Sequence, residues 1–430
     1  MIRNLLAVLT CFAVLSCSSP PDDGPANDLI NLAHLSHLYE EFQVGDTRLG
    51  VIWIYCEAPD YQLVADSDEG FTCVDDVARA LVFYCRRYTT HPSPEILEKI
   101  HSLTEFLFYM QAENGFFYNF MLPDKQPNQT HENSRAVPNF WTWRAFWALS
   151  ELNLLQVEEL SALQSRSQPI LDTLASRLET FCPSDTEVAV FNGISVPACL
   201  AELGADQAGL IMIGLANCYR IHPSGKVRQL LLRFGNLLLQ TQFGDAGRPP
   251  YGAFLSWRNY WHAWGNNQAY GLLYAGRILD YPPFLAAGLK EVQNFYPYCL
   301  EQGFIHGFQL AREADSLVLR DYHQFPQIAY GIRPMVFASL EAYAITGDTT
   351  FAHTAGRLAT WFSGNNPAGQ AMYDPATGRT FDGIGLPAEV NHNSGAESTI
   401  EALLSLQAIE AVPAAMEVLN RTKTNDHGRD

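Results

Sequence analysis

The sequence predicts an all-α protein: an (α/α)6 toroid of six helical hairpins with long loops gathered at one mouth. Three observations predict it. Six segments rich in Ala, Gly and large apolar residues start roughly 60 to 70 residues apart, the sign of a repeat architecture. Amphipathic segments with one solvated face alternate with them. Connections at one end are long and chemically rich, whereas those at the other are short.

In chain order, the first segment reads as an address. Met1-Ile2-Arg3-Asn4 gives a positive start, and the apolar run Leu5 to Val14 is too short to span a bilayer. It ends in Val14-Leu15-Ser16-Cys17, which resembles a bacterial lipobox. That resemblance implies a lipoprotein signal peptide over 1–16, lipidation of Cys17, and export. The polar, proline-rich stretch that follows makes 17–27 a flexible tether. The toroid is expected over 28–420, with a disordered tail over 421–430.

Within the toroid, the enclosed helices begin near Asp75, Trp143, Gln207, Gln268, Arg333 and Ala396. Several are apolar on nearly every face, as helices surrounded by protein must be. Ile96, Ile100, Leu103, Leu107 and Met110 recur at helical spacing, as do Val227, Leu230, Leu231, Phe234 and Leu238. Further outer helices are expected at about 28–42, 168–182, 282–300 and 348–363. The loops 118–139, 244–267, 304–327 and 365–393 are rich in Gly, Pro, Asn and aromatics. Each leads into the start of an inner helix, so all should converge on one mouth, and loops this long are usually functional.

Composition narrows the chemistry. A formal charge of −19 argues against nucleic acid, whose binding draws on Lys and Arg. Two of the nine cysteines lie in the signal region, and the other seven are odd in number and widely spaced. No disulfide framework is expected from them, and no CxxC occurs. No HExxH, Walker A, Rossmann or GxSxG string is present, and His34 and His37 are expected in a surface or core role. Neither a metal nor a cofactor is expected.

Asp75 and Asp76 open the first inner helix and Glu397 opens the last. Thr72 with Asp75, and Ser394 with Glu397, fit the capping-box spacing, so the acids can serve as helix caps. They can also serve chemistry. Ring closure brings the two helix starts together across the mouth, and glycoside hydrolysis needs two carboxylates, one to protonate the departing oxygen and one to activate water or attack. The other inner-helix starts offer candidate sugar-binding groups: Trp143, Arg144, Trp261, His262, Asn266, Asn267, Gln268, Tyr330, Arg333 and, in the last loop, Asn393.

Two of these stretches carry a family resemblance. Gly70-Phe71-Thr72-Cys73-Val74-Asp75-Asp76-Val77-Ala78-Arg79-Ala80-Leu81 and Asn393-Ser394-Gly395-Ala396-Glu397-Ser398-Thr399 resemble segments of six-hairpin glycosidase-like proteins. They are also similar to helical domains that follow some bacterial glycosyltransferase domains. The resemblance implies a toroid with a sugar-binding mouth and an acid and base carboxylate, more often in an inverting mechanism.

These readings lead to an exported lipoprotein acting as a glycoside hydrolase on an oligo- or polysaccharide. Its partners would be that carbohydrate and, through the N-terminal lipid alone, a membrane. Glu397 is the candidate acid and either Asp75 or Asp76 the candidate base. A polysaccharide lyase using Tyr322, His323 and Arg333, or a glycan-binding protein without turnover, are the alternatives.

Overall fold

The computed structural model describes residues 29–183 and 187–426; the signal peptide, Cys17 and the tether lie outside them. Six helical hairpins follow one another along the chain. The inner helices are α1 (Val74–Thr90), α3 (Phe140–Leu152), α5 (Ala205–Ile221), α7 (Gln268–Leu279), α9 (Ala329–Thr346) and α11 (Ala396–Glu410). The outer helices are α2 (Pro94–Tyr109), α4 (Ser161–Leu178), α6 (Gly225–Leu239), α8 (Pro282–Glu301), α10 (Thr349–Ala359) and α12 (Pro413–Asp426). Each inner helix packs on the next, and α11 returns to α1, so the ring closes. The architecture is the expected all-α toroid.

The inner ring is tight because its helices carry small residues where they cross. A Cβ on Gly271 of α7 would stand 2.7 Å from the carbonyl oxygen of Gly209 on α5. Larger residues fill the remaining space in the core. Trp143, Trp147, Phe146 and Phe234 are fully buried, and each such side chain contributes roughly 1.5–3 kcal/mol of hydrophobic stabilisation. Outer helices start with local caps: Ser93 accepts from the Ile96 N–H and Ser224 from the Val227 N–H, both at 3.2 Å.

Three expectations are corrected. Residues 28–42 do not form an outer helix. A short helix, Ala33–Leu38, runs into a β-hairpin pairing Tyr39–Val44 with Thr47–Ile52. Gly45, at φ +59°, makes the tight turn. The sixth outer helix is instead α12, which runs to residue 426 through much of the expected tail; 427–430 lie outside the described residues. Cys182 and Cys199 form a disulfide, while Cys56, Cys73, Cys85, Cys218 and Cys299 are free thiols. Spacing did not reveal this pair, because a local hairpin (Val188–Phe191 with Ile194–Pro197) lies between the two cysteines.

The long loops gather at one mouth and carry most of the small β-sheets. Among them, Ser316–His323, Gly307–Glu313 and Tyr260–His262 form a three-stranded antiparallel sheet. Among the described residues no single helix is long and apolar enough to cross a membrane.

Candidate functional site

The starts of α1 and α11 are capped by residues far away in sequence. On α1, the Val74 N–H donates to the Asn119 carbonyl at 2.8 Å and the Asp75 N–H to the Asn119 side chain at 3.1 Å. On α11, Asp382 accepts from the Gly395 N–H at 2.8 Å and from the Ser398 hydroxyl at 2.7 Å. The Ala396 N–H reaches the Ile54 carbonyl at 2.9 Å. Neither expected capping box forms: the Thr72 hydroxyl makes no hydrogen bond, and Ser394 Oγ accepts from Thr380 instead. The consequence is chemical. With Asn119 and Asp382 satisfying the backbone, the side chains of Asp75 and Glu397 are released from capping.

Both released carboxylates border a cavity of about 480 Å³ at the centre of the mouth. Arg144, Tyr330, Trp264 and Phe140 border it as well. Asp75 is held by Arg144 at 2.5 Å, and its side chain stays 20% exposed. Arg144 also donates to the Tyr330 hydroxyl at 2.8 Å. Glu397 accepts from Arg79 at 2.7 Å while 41% of its side chain faces open space.

Below this rim lies a largely sealed layer of charge, of which Asp76 and Arg79 reach the cavity wall. Arg79 on α1 donates to Asp76 at 2.7 Å and contacts Glu401 at 2.9 Å, in addition to Glu397. Glu401, fully buried, also takes Arg333 at 2.7 Å, and Arg333 donates to Asn267 Oδ1 at 2.8 Å. The Arg79 and Arg333 guanidiniums stand 4.8 and 5.5 Å from the Tyr330 ring centroid. Each buried acid therefore meets at least one arginine, as a charge in this setting must.

The environment separates the acids. Burial, the largest influence, pushes the Glu397 carboxyl above its ordinary value; Arg79 opposes the rise and Asp76 adds to it. Burial likewise raises Asp76 against the pull of Arg79. Asp76 is only 4% exposed, and its second oxygen accepts from the Cys73 thiol at 3.1 Å. Asp76 also lines the cavity wall, but its oxygens are taken by the arginine and the thiol, which leaves Asp75 as the more exposed acid of the pair.

Several expected binding residues stand elsewhere. Trp143 is fully buried against Phe116 and Phe181, and Trp261 against Phe295 and Phe308. Both rings point into packing, because an apolar ring next to the outer layer gains more from burial than from the mouth. Asn266 donates to the Ala263 carbonyl and Gln268 to the Leu255 carbonyl, fastening the loop ahead of α7. Arg333 and Asn267 belong to the sealed layer. Asn393 accepts from the Ala58 N–H at 3.0 Å and so ties two loops together. His262 borders a neighbouring cavity, but Asp206 at 3.1 Å and the Trp264 carbonyl at 2.8 Å occupy its two ring nitrogens.

Sequence reasoning missed Arg79, Glu401 and Trp264 as site members. The first two carried a signal: each lies four residues after a candidate acid, on the same face of a helix enclosed by protein. Among the described residues, no group of three or more His, Cys, Asp or Glu side chains gathers in a way that could hold a metal.

No family model and no curated protein matches the chain. Solved structures do. A cellobiose 2-epimerase from Bacillus thermoamylovorans B4167 is 11% identical, covering 89% of this chain and 96% of its own, with a TM-score of 0.63. A D-mannose isomerase is 11% identical, with coverages of 94% and 100% and a TM-score of 0.59. A glycosyl hydrolase family 88 protein from Bacteroides vulgatus is 9% identical, with coverages of 80% and 93% and a TM-score of 0.52. At such identities the likeness is one of fold: the chain has the six-hairpin glycosidase-like (α/α)6 toroid.

Proposed function

We propose that the chain is a sugar-processing enzyme, and specifically a glycoside hydrolase acting on an oligo- or polysaccharide. Glu397 protonates the departing glycosidic oxygen. Asp75 accepts a proton from the attacking water, so the bond from sugar to aglycone breaks as the bond to water forms. One observation carries this reading: Asp75 and Glu397, relieved of capping, border the same cavity, each with an arginine bonded to it. A raised pKa suits Glu397 as the acid, and the bonded Arg144 holds Asp75 in place as the base. Arg79 positions Glu397 and Tyr330 positions Arg144. The sugar epimerase, sugar isomerase and glycosyl hydrolase names of the similar structures support carbohydrate as the substrate class.

The sealing of Arg333 counts against the lyase alternative, which needs an accessible cation to neutralise a uronate. Export and lipidation at Cys17 belong to the proposal too, and the Cys182–Cys199 disulfide supports an oxidising compartment. Labelling of the wild type with a fatty-acid analogue, lost in C17A, is the expected outcome for the anchor.

The test is a screen of neutral oligo- and polysaccharides with product analysis, followed by D75N, D76N and E397Q. D75N and E397Q are each expected to lower kcat by about 10²–10⁴, with the fold retained. Wild-type turnover in both variants would sink the assignment. Conversion of one free sugar into another without bond cleavage would make the site an isomerase. An unsaturated, ultraviolet-absorbing product would make it a lyase, and binding without any product a glycan receptor.

A further inference from the structure

A second cavity of about 420 Å³ adjoins the first and shares Phe140 and Trp264 with it. Gln207, Trp257, Tyr260 and His262 line its far side. Both cavities fall within the ~300–1,000 Å³ common for ligand sites. Trp257 is 41% exposed, and a large ring left open beside a cavity calls for an explanation.

The ring is held firmly. Trp257 and Tyr260 exchange backbone hydrogen bonds at 3.1 and 2.9 Å across a tight turn, in which Arg258 adopts φ +54°. That left-handed conformation is costly for a side chain other than glycine and tends to be kept where a site requires it. Asn259 ties the turn to the adjoining strand, donating to the Leu310 carbonyl and accepting from its N–H at 2.9 and 2.8 Å. Arg258 lies 3.9 Å from the Trp257 ring centroid, covering one face. An ordered, exposed aromatic ring beside a cavity suits a ligand with an apolar face, such as a sugar ring.

We infer that the mouth is a groove with at least two sugar sites, in which Trp257 stacks the second unit. This inference rests on the carbohydrate reading above and deepens it: the substrate is a chain of at least two units rather than a single sugar. Glu202 on the wall of the second cavity disfavours a uronate there, so the second unit is a neutral or amino sugar.

Full-length E397Q, titrated by calorimetry with cello-, manno-, xylo- and chito-oligosaccharides of one to six units, tests it. In the series that binds, affinity should rise roughly tenfold from one unit to two or three. W257A in the same background should remove that gain, and W257F should restore most of it. Affinity that does not depend on length, equal binding by W257A, or no binding in any series would overturn the inference. Failure of the hydrolase reading looks different: length-dependent binding that Trp257 controls, with no bond cleaved by the wild type, would leave the groove and remove only the chemistry. Cleavage with flat length dependence would do the reverse.

Discussion

Glu397 and Glu401 stand one turn apart on α11 and both bond Arg79, yet one is 41% exposed and the other fully buried. The same contrast divides the whole mouth into two tiers. The upper tier (Asp75, Arg144, Tyr330 and Glu397) borders the cavity. The lower tier (Asp76, Arg79, Asn267, Arg333 and Glu401) is a set of buried ion pairs and hydrogen bonds beneath it, of which Asp76 and Arg79 reach the cavity wall. Depth, more than residue type, separates groups that can meet a substrate from groups that hold the scaffold. The lower tier supplies part of what a precise site needs, since Arg79 holds Glu397 above it.

The comparison can be broken most sharply at the lower tier. E401Q leaves two buried guanidiniums short of charge and is expected to cost about 3–5 kcal/mol of stability, measured by denaturant unfolding. E397Q should stay within about 0.5 kcal/mol of the wild type in that assay. Equal losses in the two variants would erase the distinction between tiers. The aromatic residues offer a matching contrast. W143A, deep in the core, should cost about 3–5 kcal/mol, whereas W264A, at the rim, should act chiefly on KM.

A third buried carboxylate sharpens the point because it lacks an arginine. Glu291 on α8 accepts from the Phe254 N–H at 2.9 Å, and burial raises its pKa to about 8 from an ordinary 4.5. The folded state then keeps a proton that the unfolded chain releases above pH 4.5. The associated stability is complete below pH 4.5 and falls as the pH climbs toward 8. E291Q keeps the acceptor and removes the proton, so it should flatten this decline and gain a few kcal/mol over the wild type at pH 8. An unchanged pH dependence of unfolding would contradict the assignment. The smallest expected effect belongs to Y330F, which deletes the acceptor for Arg144. It should cost about 0.5–1.5 kcal/mol and lower kcat/KM severalfold.

Much of this architecture was legible in the sequence, and the reasons are physical. A helix surrounded by protein must be apolar all round, so five inner helices and the first turns of the sixth announced themselves by composition. The register of the ring followed from their even spacing. The outer helix expected at 28–42 misled because Tyr39 to Ile52 carries apolar residues at spacings a helix and a hairpin share; Gly45 and Asp46 were the turn signal. Asp75 and Glu397 were found because an acid at the start of an apolar helix is conspicuous. Choosing between Asp75 and Asp76 required knowing which one Arg79 claims. The roles of Asn119 and Asp382 were hidden because each caps a helix through a contact the chain makes only after folding. Trp143 and Trp261 misled for the opposite reason: an aromatic at a helix start or in the loop ahead of one looks the same in sequence whether it turns to the mouth or to the core.

The central claim is that Glu397 delivers a proton to the leaving group. The most direct measurement compares wild type and E397Q on aryl glycosides of the sugar identified by screening, over leaving groups from phenol to 2,4-dinitrophenol. If Glu397 is the acid, E397Q loses about 10²–10⁴ in kcat/KM on the phenyl glycoside and stays near wild type on the dinitrophenyl one, which departs without a proton. An equal loss on every leaving group, or no loss on any, would contradict the account.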